Sequence, residues 1–98
     1  TGKQLLPSIF EGYRSQMNEK LREIERDFGT HDSTSIYRTA HAIKSMSANI
    51  GADKVRSISS QIEKKSREND LSGLAEEIIV LIEAYHEFVE QFDTSFAR

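Results

Sequence analysis

The sequence predicts an all-α protein, an antiparallel up-down-up-down four-helix bundle led by a short N-terminal helical turn. Three observations carry that expectation. One proline and five glycines in 98 residues leave few breaks, and no alternating apolar–polar segment with hairpin signals occurs. Four stretches repeat apolar residues at steps of three and four, the spacing of one helix face. The connections between those stretches are short, which favours antiparallel neighbours.

Residues 2–6 are expected to form the leading turn. Pro7 suits the first position of the next helix, where its missing N–H would have no partner anyway. Over 7–28, Phe10, Tyr13, Met17, Leu21, Ile24 and Phe28 make one apolar stripe, with Arg14, Glu19, Lys20, Glu23 and Arg26 toward solvent. Gly29-Thr30-His31-Asp32 reads as the stop and a tight connection. Asp32 or Ser33 caps the second helix, which runs to Ile50 and ends at Gly51, a residue free to turn left-handed. Asp53 is expected to cap a third helix, with Val55, Ile58 and Ile62 inward and Lys54, Lys64, Lys65 and Arg67 outward, closed by Glu68-Asn69-Asp70. The last helix, 72–96, has the strongest pattern: Leu74, Ile78, Leu81, Tyr85, Phe88 and Phe92. Ile79, Val80 and Ile82 are expected to widen its buried face against two neighbours.

Ninety-eight residues, 37% apolar and 30% charged, suit a single domain over 1–98 with one core. A bundle that buries its own stripes is expected to be a monomer. The net charge of −3 argues against nucleic acid as a partner, because phosphate binding wants a basic surface. Without cysteine there is no disulfide framework, thiolate metal site or cysteine nucleophile. No run approaches the roughly 18 apolar residues of a membrane span, so no membrane contact is expected of this domain. The chain opens on Thr1-Gly2 without an initiator Met, which points to a domain cut from a longer polypeptide.

The second helix holds the chemistry. Ile36, Ala40, Ile43, Ser47 and Ile50 fall on one side as a narrow apolar-to-small stripe. His41, Lys44, Ser45 and Ala48 fall on another, at steps of three and four. An exposed face normally carries long side chains. Here it clears a landing around one histidine, with a cation beside it and small residues on the following turns. A neutral imidazole is a competent nucleophile near pH 7, since an unperturbed histidine titrates at about 6.5. Phosphorylation would add roughly two negative charges, which a nearby ammonium can screen. Nothing in the sequence positions ATP: there is no glycine-rich phosphate loop and no carboxylate cluster arranged for Mg²⁺. The phosphoryl group would come from another protein and leave to one. The pattern fits a carrier better than a catalyst.

The run His41-Ala42-Ile43-Lys44-Ser45-Met46-Ser47-Ala48-Asn49-Ile50-Gly51-Ala52 resembles the signature of histidine-containing phosphotransfer (HPt) domains. That signature has a Leu-like residue two after the His, then Lys, then Gly or Ser, a Ser two further on, and a Gly ten after the His. Ala40 and Ala52 match as well, the likeness reaches Ile62-Glu63, and the four-helix layout makes it cover most of the chain. The resemblance implies that His41 takes up and gives away phosphoryl through its outer ring nitrogen, with Lys44 stabilising the phosphorylated state. Ser45 stands where many members have Gly and keeps the approach open. Glu63 falls where members carry Gln or Glu facing the histidine, which implies a carboxylate orienting the ring from its other nitrogen; the competing reading is a solvated charge. Ser47 reads as structural, a small residue whose hydroxyl bonds to the preceding turn.

The resemblance further implies receiver-domain partners in two-component phosphorelays, with Mg²⁺ supplied by the receiver and no cofactor in this domain. Docking would use the face around His41: Tyr37, Lys44, Ser45 and Ala48, with part of the first long helix. Many members are C-terminal modules of membrane-anchored hybrid sensor histidine kinases, which implies a cytoplasmic domain of such a parent chain. The competing class is a helical interaction module in which His41 does no chemistry. Glu83-Ala84-Tyr85-His86 matches a Glu-x-x-His spacing used by di-iron bundles, but no second pair occurs, so no metal site is expected. His31 falls in a loop, and Lys64-Lys65-Ser66-Arg67 reads as a solvated face with a minor steering role.

Overall fold

Four helices follow one another: α1 (Pro7–Gly29), α2 (Ser33–Ile50), α3 (Asp53–Arg67) and α4 (Leu74–Phe96). The computed structural model describes residues 7–96, with side chains through Asp93. The leading turn expected over 2–6 lies outside the described residues. Each helix packs on two others, α1 on α2 and α4, α3 on α2 and α4, so α2 and α4 occupy opposite corners. Cross-helix contacts fix the directions. Phe10 and Tyr13 of α1 meet Phe92 and Tyr85 of α4 in reverse order, and Lys54 and Lys65 of α3 meet Glu87 and Glu77 of α4 likewise. The bundle is antiparallel throughout and measures 43 × 20 × 18 Å.

The stripes read from the sequence are the core. Met17, Ile24, Ile36, Ala40, Ile43, Ile62, Leu74 and Leu81 are fully buried. An aromatic group closes one end: the Phe10 and Phe92 rings stack with centroids 3.6 Å apart, and Tyr13 meets Phe88 edge-on at 5.7 Å. The Tyr13 hydroxyl sits 2.8 Å from that of Ser47. Burial pushes the phenol up to about 12, against the Ser47 hydrogen bond, so it stays protonated at any physiological pH. Ser47 therefore spends its hydroxyl on α1 rather than on its own helix. In α3, Ser59 and Ser66 do donate to the carbonyls four residues back, at 2.7 Å each. Such small residues let α3 lie close against α2.

The stop expected over 29–32 is present, and two other expectations, for Asp53 and for Ile79 and Val80, need correction. Gly29 closes α1 as its last helical residue, while the left-handed turn falls on His31 at φ 57°. Asp32 N–H bonds the carbonyl of Asp27 and His31 N–H that of Phe28, the paired bonds of a Schellman stop, which place the turn there. Asp32 then caps α2 by accepting from Ser35 N–H at 3.1 Å. Asp53 is not a cap but the first residue of α3. Buried Ala52 both ends the stop of α2 and begins α3, which moves Asp53 one position inward, where its charge meets the positive helix end. Finally, Ile79 and Val80 do not widen the buried face of α4; both are exposed. They sit about 100° and 200° around the helix from Ile78, beyond the arc that α1 and α3 cover, whereas Ile82 is half-buried.

The α2–α3 corner repeats the Schellman pattern with Gly51 at φ 81° and Ala52 N–H bonded to the carbonyl of Ser47 at 2.9 Å. A Cβ on Gly51 would meet nothing within 4 Å, so only the backbone conformation resists substitution. Gly51→Ala is expected to lower stability by about 1 kcal/mol, read from a urea midpoint that falls at unchanged slope.

Candidate phosphoryl-transfer site

The tight Gly51–Ala52 corner sets the register of α2 against α3, and that register lays His41 opposite Glu63. Glu63 follows the core residue Ile62 by one step, which turns its side chain from the interior into the seam between the two helices. Its side chain is only 7% exposed, yet both oxygens are satisfied. Oε2 lies 2.8 Å from His41 Nδ1 and Oε1 lies 2.6 Å from Lys44 Nζ. Burial pulls the Glu63 carboxyl upward, but the hydrogen bonds and charges of Lys44 and His41 outweigh it and hold the group below the usual glutamate range. A depressed folded value contributes stability that is fully present above the unfolded value and is lost as pH falls through the folded one. The seam is thus expected to loosen on the acid side of the ordinary glutamate range.

An ionised carboxylate only accepts hydrogen bonds, so Nδ1 of His41 is the donor. In the neutral ring the tautomer follows: Nε2 carries the lone pair. The imidazole is 56% exposed, while its partner is buried. Tyr37, one turn before it, lays its ring 6.3 Å away at 28°, and the Arg67 guanidinium stands 6.0 Å over the far ring. On the other side, Ser45 and Ala48 are exposed and small, leaving the approach from the C-terminal half of α2 open. That side continues into a shallow apolar groove between α1 and α2, lined by Ile9, Gly12, Gln16, Met46 and Ile50.

The structure therefore brings His41, Lys44 and Glu63 into one hydrogen-bonded set and places Tyr37, Ser45 and Ala48 around it. It differs from the sequence reading in one respect: the Lys44 ammonium rests on Glu63 rather than at the open side of the ring. The Arg67–Tyr37 contact was missed. Its signal was available, because Arg67 lies four residues after Glu63 and so on the same face of α3. His31 and His86 are exposed, and among the described residues no group of three or more His, Cys, Asp or Glu is placed to hold a metal. Among the described residues, no helix is long and apolar enough to cross a membrane.

A family model, the Hpt domain, matches residues 8–94. The chain belongs to the Hpt domain family. The match spans all four helices, so the bundle as a whole is the Hpt domain and the His41 helix lies within the match. Membership brings the family's general role, a phosphoryl carrier in phosphorelays that meets receiver domains, and not that of a kinase. Neither the curated proteins nor the solved structures gave a match.

Proposed function

We propose that this Hpt domain accepts a phosphoryl group on Nε2 of His41 from the phosphorylated aspartate of one receiver domain and passes it to the aspartate of another. The observation that supports this most is the orientation of the ring: one nitrogen is bound to a buried carboxylate and the other is left bearing its lone pair on a cleared surface. In the forward step the Nε2 lone pair forms the N–P bond. The P–O bond to the receiver aspartate breaks, and its electron pair returns to that carboxylate. Nδ1 keeps its proton, so the phosphorylated ring is cationic, and the Glu63 carboxylate 2.8 Å away offsets that charge. The reverse step expels a neutral imidazole, a good leaving group. Lys44 is shared: its ammonium steadies Glu63 at rest and lies one turn from His41, near enough to screen a phosphoryl dianion.

The receiver supplies the Mg²⁺ and the acidic pocket, and this domain contributes no cofactor. Docking uses Tyr37, Ser45 and Ala48 together with the α1–α2 groove. Arg38, Lys44, Lys64 and Arg67 give α2 and α3 a positive character suited to an acidic partner. We further place the domain as a monomeric cytoplasmic module of a hybrid sensor kinase chain. Incubation with a phosphorylated receiver is expected to add one phosphoryl mass that is lost in acid and kept in base, whereas ATP alone adds none. Labelling by ATP alone, or no transfer from any receiver, would overturn the reading.

A further inference from the structure

Charge is divided unevenly over the bundle. α2 and α3 together hold seven Lys and Arg against two acids, whereas α4 holds six acids and no Lys or Arg. Because α2 and α4 occupy opposite corners, the outward face of α4 looks away from His41. In the middle of that acidic face stand two large apolar side chains, Ile79 and Val80, 56% and 42% exposed. Glu76 and Glu83 lie about one turn to either side, and Glu87 and Glu90 continue the row. Glu76, Glu83 and Glu90 have no ion-pair partner among the described residues, and the Glu87–Lys54 pair is exposed and cheap to exchange. Val80 also borders a hollow shared with Ile58, Gln61 and Lys65 of α3 and with Glu77, whose Oε1 is paired with Lys65 Nζ at 3.6 Å, so the open charge of this face lies on Glu76, Glu83 and Glu90.

We propose that this face of α4 is a second docking surface, distinct from the His41 face, for a cationic amphipathic helix of a partner protein. Aliphatic residues of that helix would seat on Ile79 and Val80, with Lys or Arg over Glu76, Glu83 and Glu87. The charge selects this occupant. A second copy paired α4 to α4 would bring one acidic row against another, and its basic α2–α3 side is the one that carries His41 and offers no exposed aliphatic row to Ile79 and Val80. An anionic lipid surface would be repelled. Two faces at opposite corners allow a receiver and this partner to be held at once.

The test uses the full 98-residue chain and a synthetic helical peptide with lysines on one side and leucines on the other. In an amide NMR titration, shifts are expected on residues 76–87 and not around His41. Ile79→Ser with Val80→Ser is expected to weaken binding about tenfold or more, the loss that follows from removing the apolar part of such a contact. The same double variant should keep its circular dichroism and its phosphoryl uptake from a receiver, which separates this proposal from the fate of His41. Unchanged affinity in the double variant, equal affinity for a peptide with serines in place of leucines, shifts centred on α2, or self-association through α4 in sedimentation would each overturn it.

Discussion

His41→Gln is expected to abolish phosphoryl uptake while leaving the bundle as stable as before. The ring is more exposed than buried, and its contacts are the Glu63 carboxylate and the face of Tyr37. Glutamine is close in size, uncharged and a good helix former, and its amide N–H can still donate to Glu63. The stability change is therefore expected within about 1 kcal/mol, as at other surface positions. The chemical loss is complete, because an amide nitrogen has no available lone pair to attack phosphorus. Intact mass after incubation with a phosphorylated receiver reads the first effect and thermal unfolding the second. A variant that still gains acid-labile phosphate would put the acceptor elsewhere. One that keeps full signalling without any phosphate would favour a plain interaction module.

Glu63→Gln separates charge from shape at the seam. The amide oxygen can still accept from Nδ1, but the negative charge that offsets the phosphorylated ring is gone. Two effects then compete. Exchanging a charge-assisted hydrogen bond for a neutral one removes about 1 to 1.5 kcal/mol from the phosphorylated state. Lys44, no longer held by a carboxylate, is freed toward the phosphoryl group, but a partly exposed, screened charge returns less than about 1 kcal/mol. The first effect wins. Phosphotransfer passes through a loose transition state, in which little charge has reached the ring, so the rate changes less than the equilibrium. The fraction of His41 phosphorylated at equilibrium with a phosphorylated receiver is expected to fall up to about tenfold. The variant should also lose the acid-side destabilisation that a depressed Glu63 carboxyl confers, so its unfolding midpoint should flatten below the ordinary glutamate range. An unchanged equilibrium would assign Glu63 a purely packing role.

The helical pattern of the sequence carries much of the fold and part of the site. Helical period alone assigns Phe10, Met17, Ile24, Ile43, Ile62 and Leu81 to the core, because in a bundle burial follows the face of the helix. The same period sets His41 outside the stripe. What was not legible depends on how helices meet. Ile79 and Val80 look like core residues by composition, and only the corner occupied by α4 leaves them outside. Within the stop at 29–32 the sequence does not say which residue turns left-handed; it is His31, because the stop of α1 must end on Asp32, the cap of α2. Glu63 read equally well as a solvated charge; its place beside His41 follows from the register set at Gly51–Ala52. Lys44 was placed correctly on its face, but its choice of Glu63 as partner is a contact across helices that spacing along one helix does not reveal.

The most direct test is NMR of the phosphorylated chain with ¹⁵N-labelled histidine. The expected result is phosphorus coupling to Nε2 of His41, with Nδ1 still protonated and that proton lost from its position when Glu63 is replaced by Ala. Phosphorus coupled to Nδ1, or no change in the His41 signals while phosphate is bound, would contradict the assignment of the buried carboxylate as the group that presents the outer nitrogen.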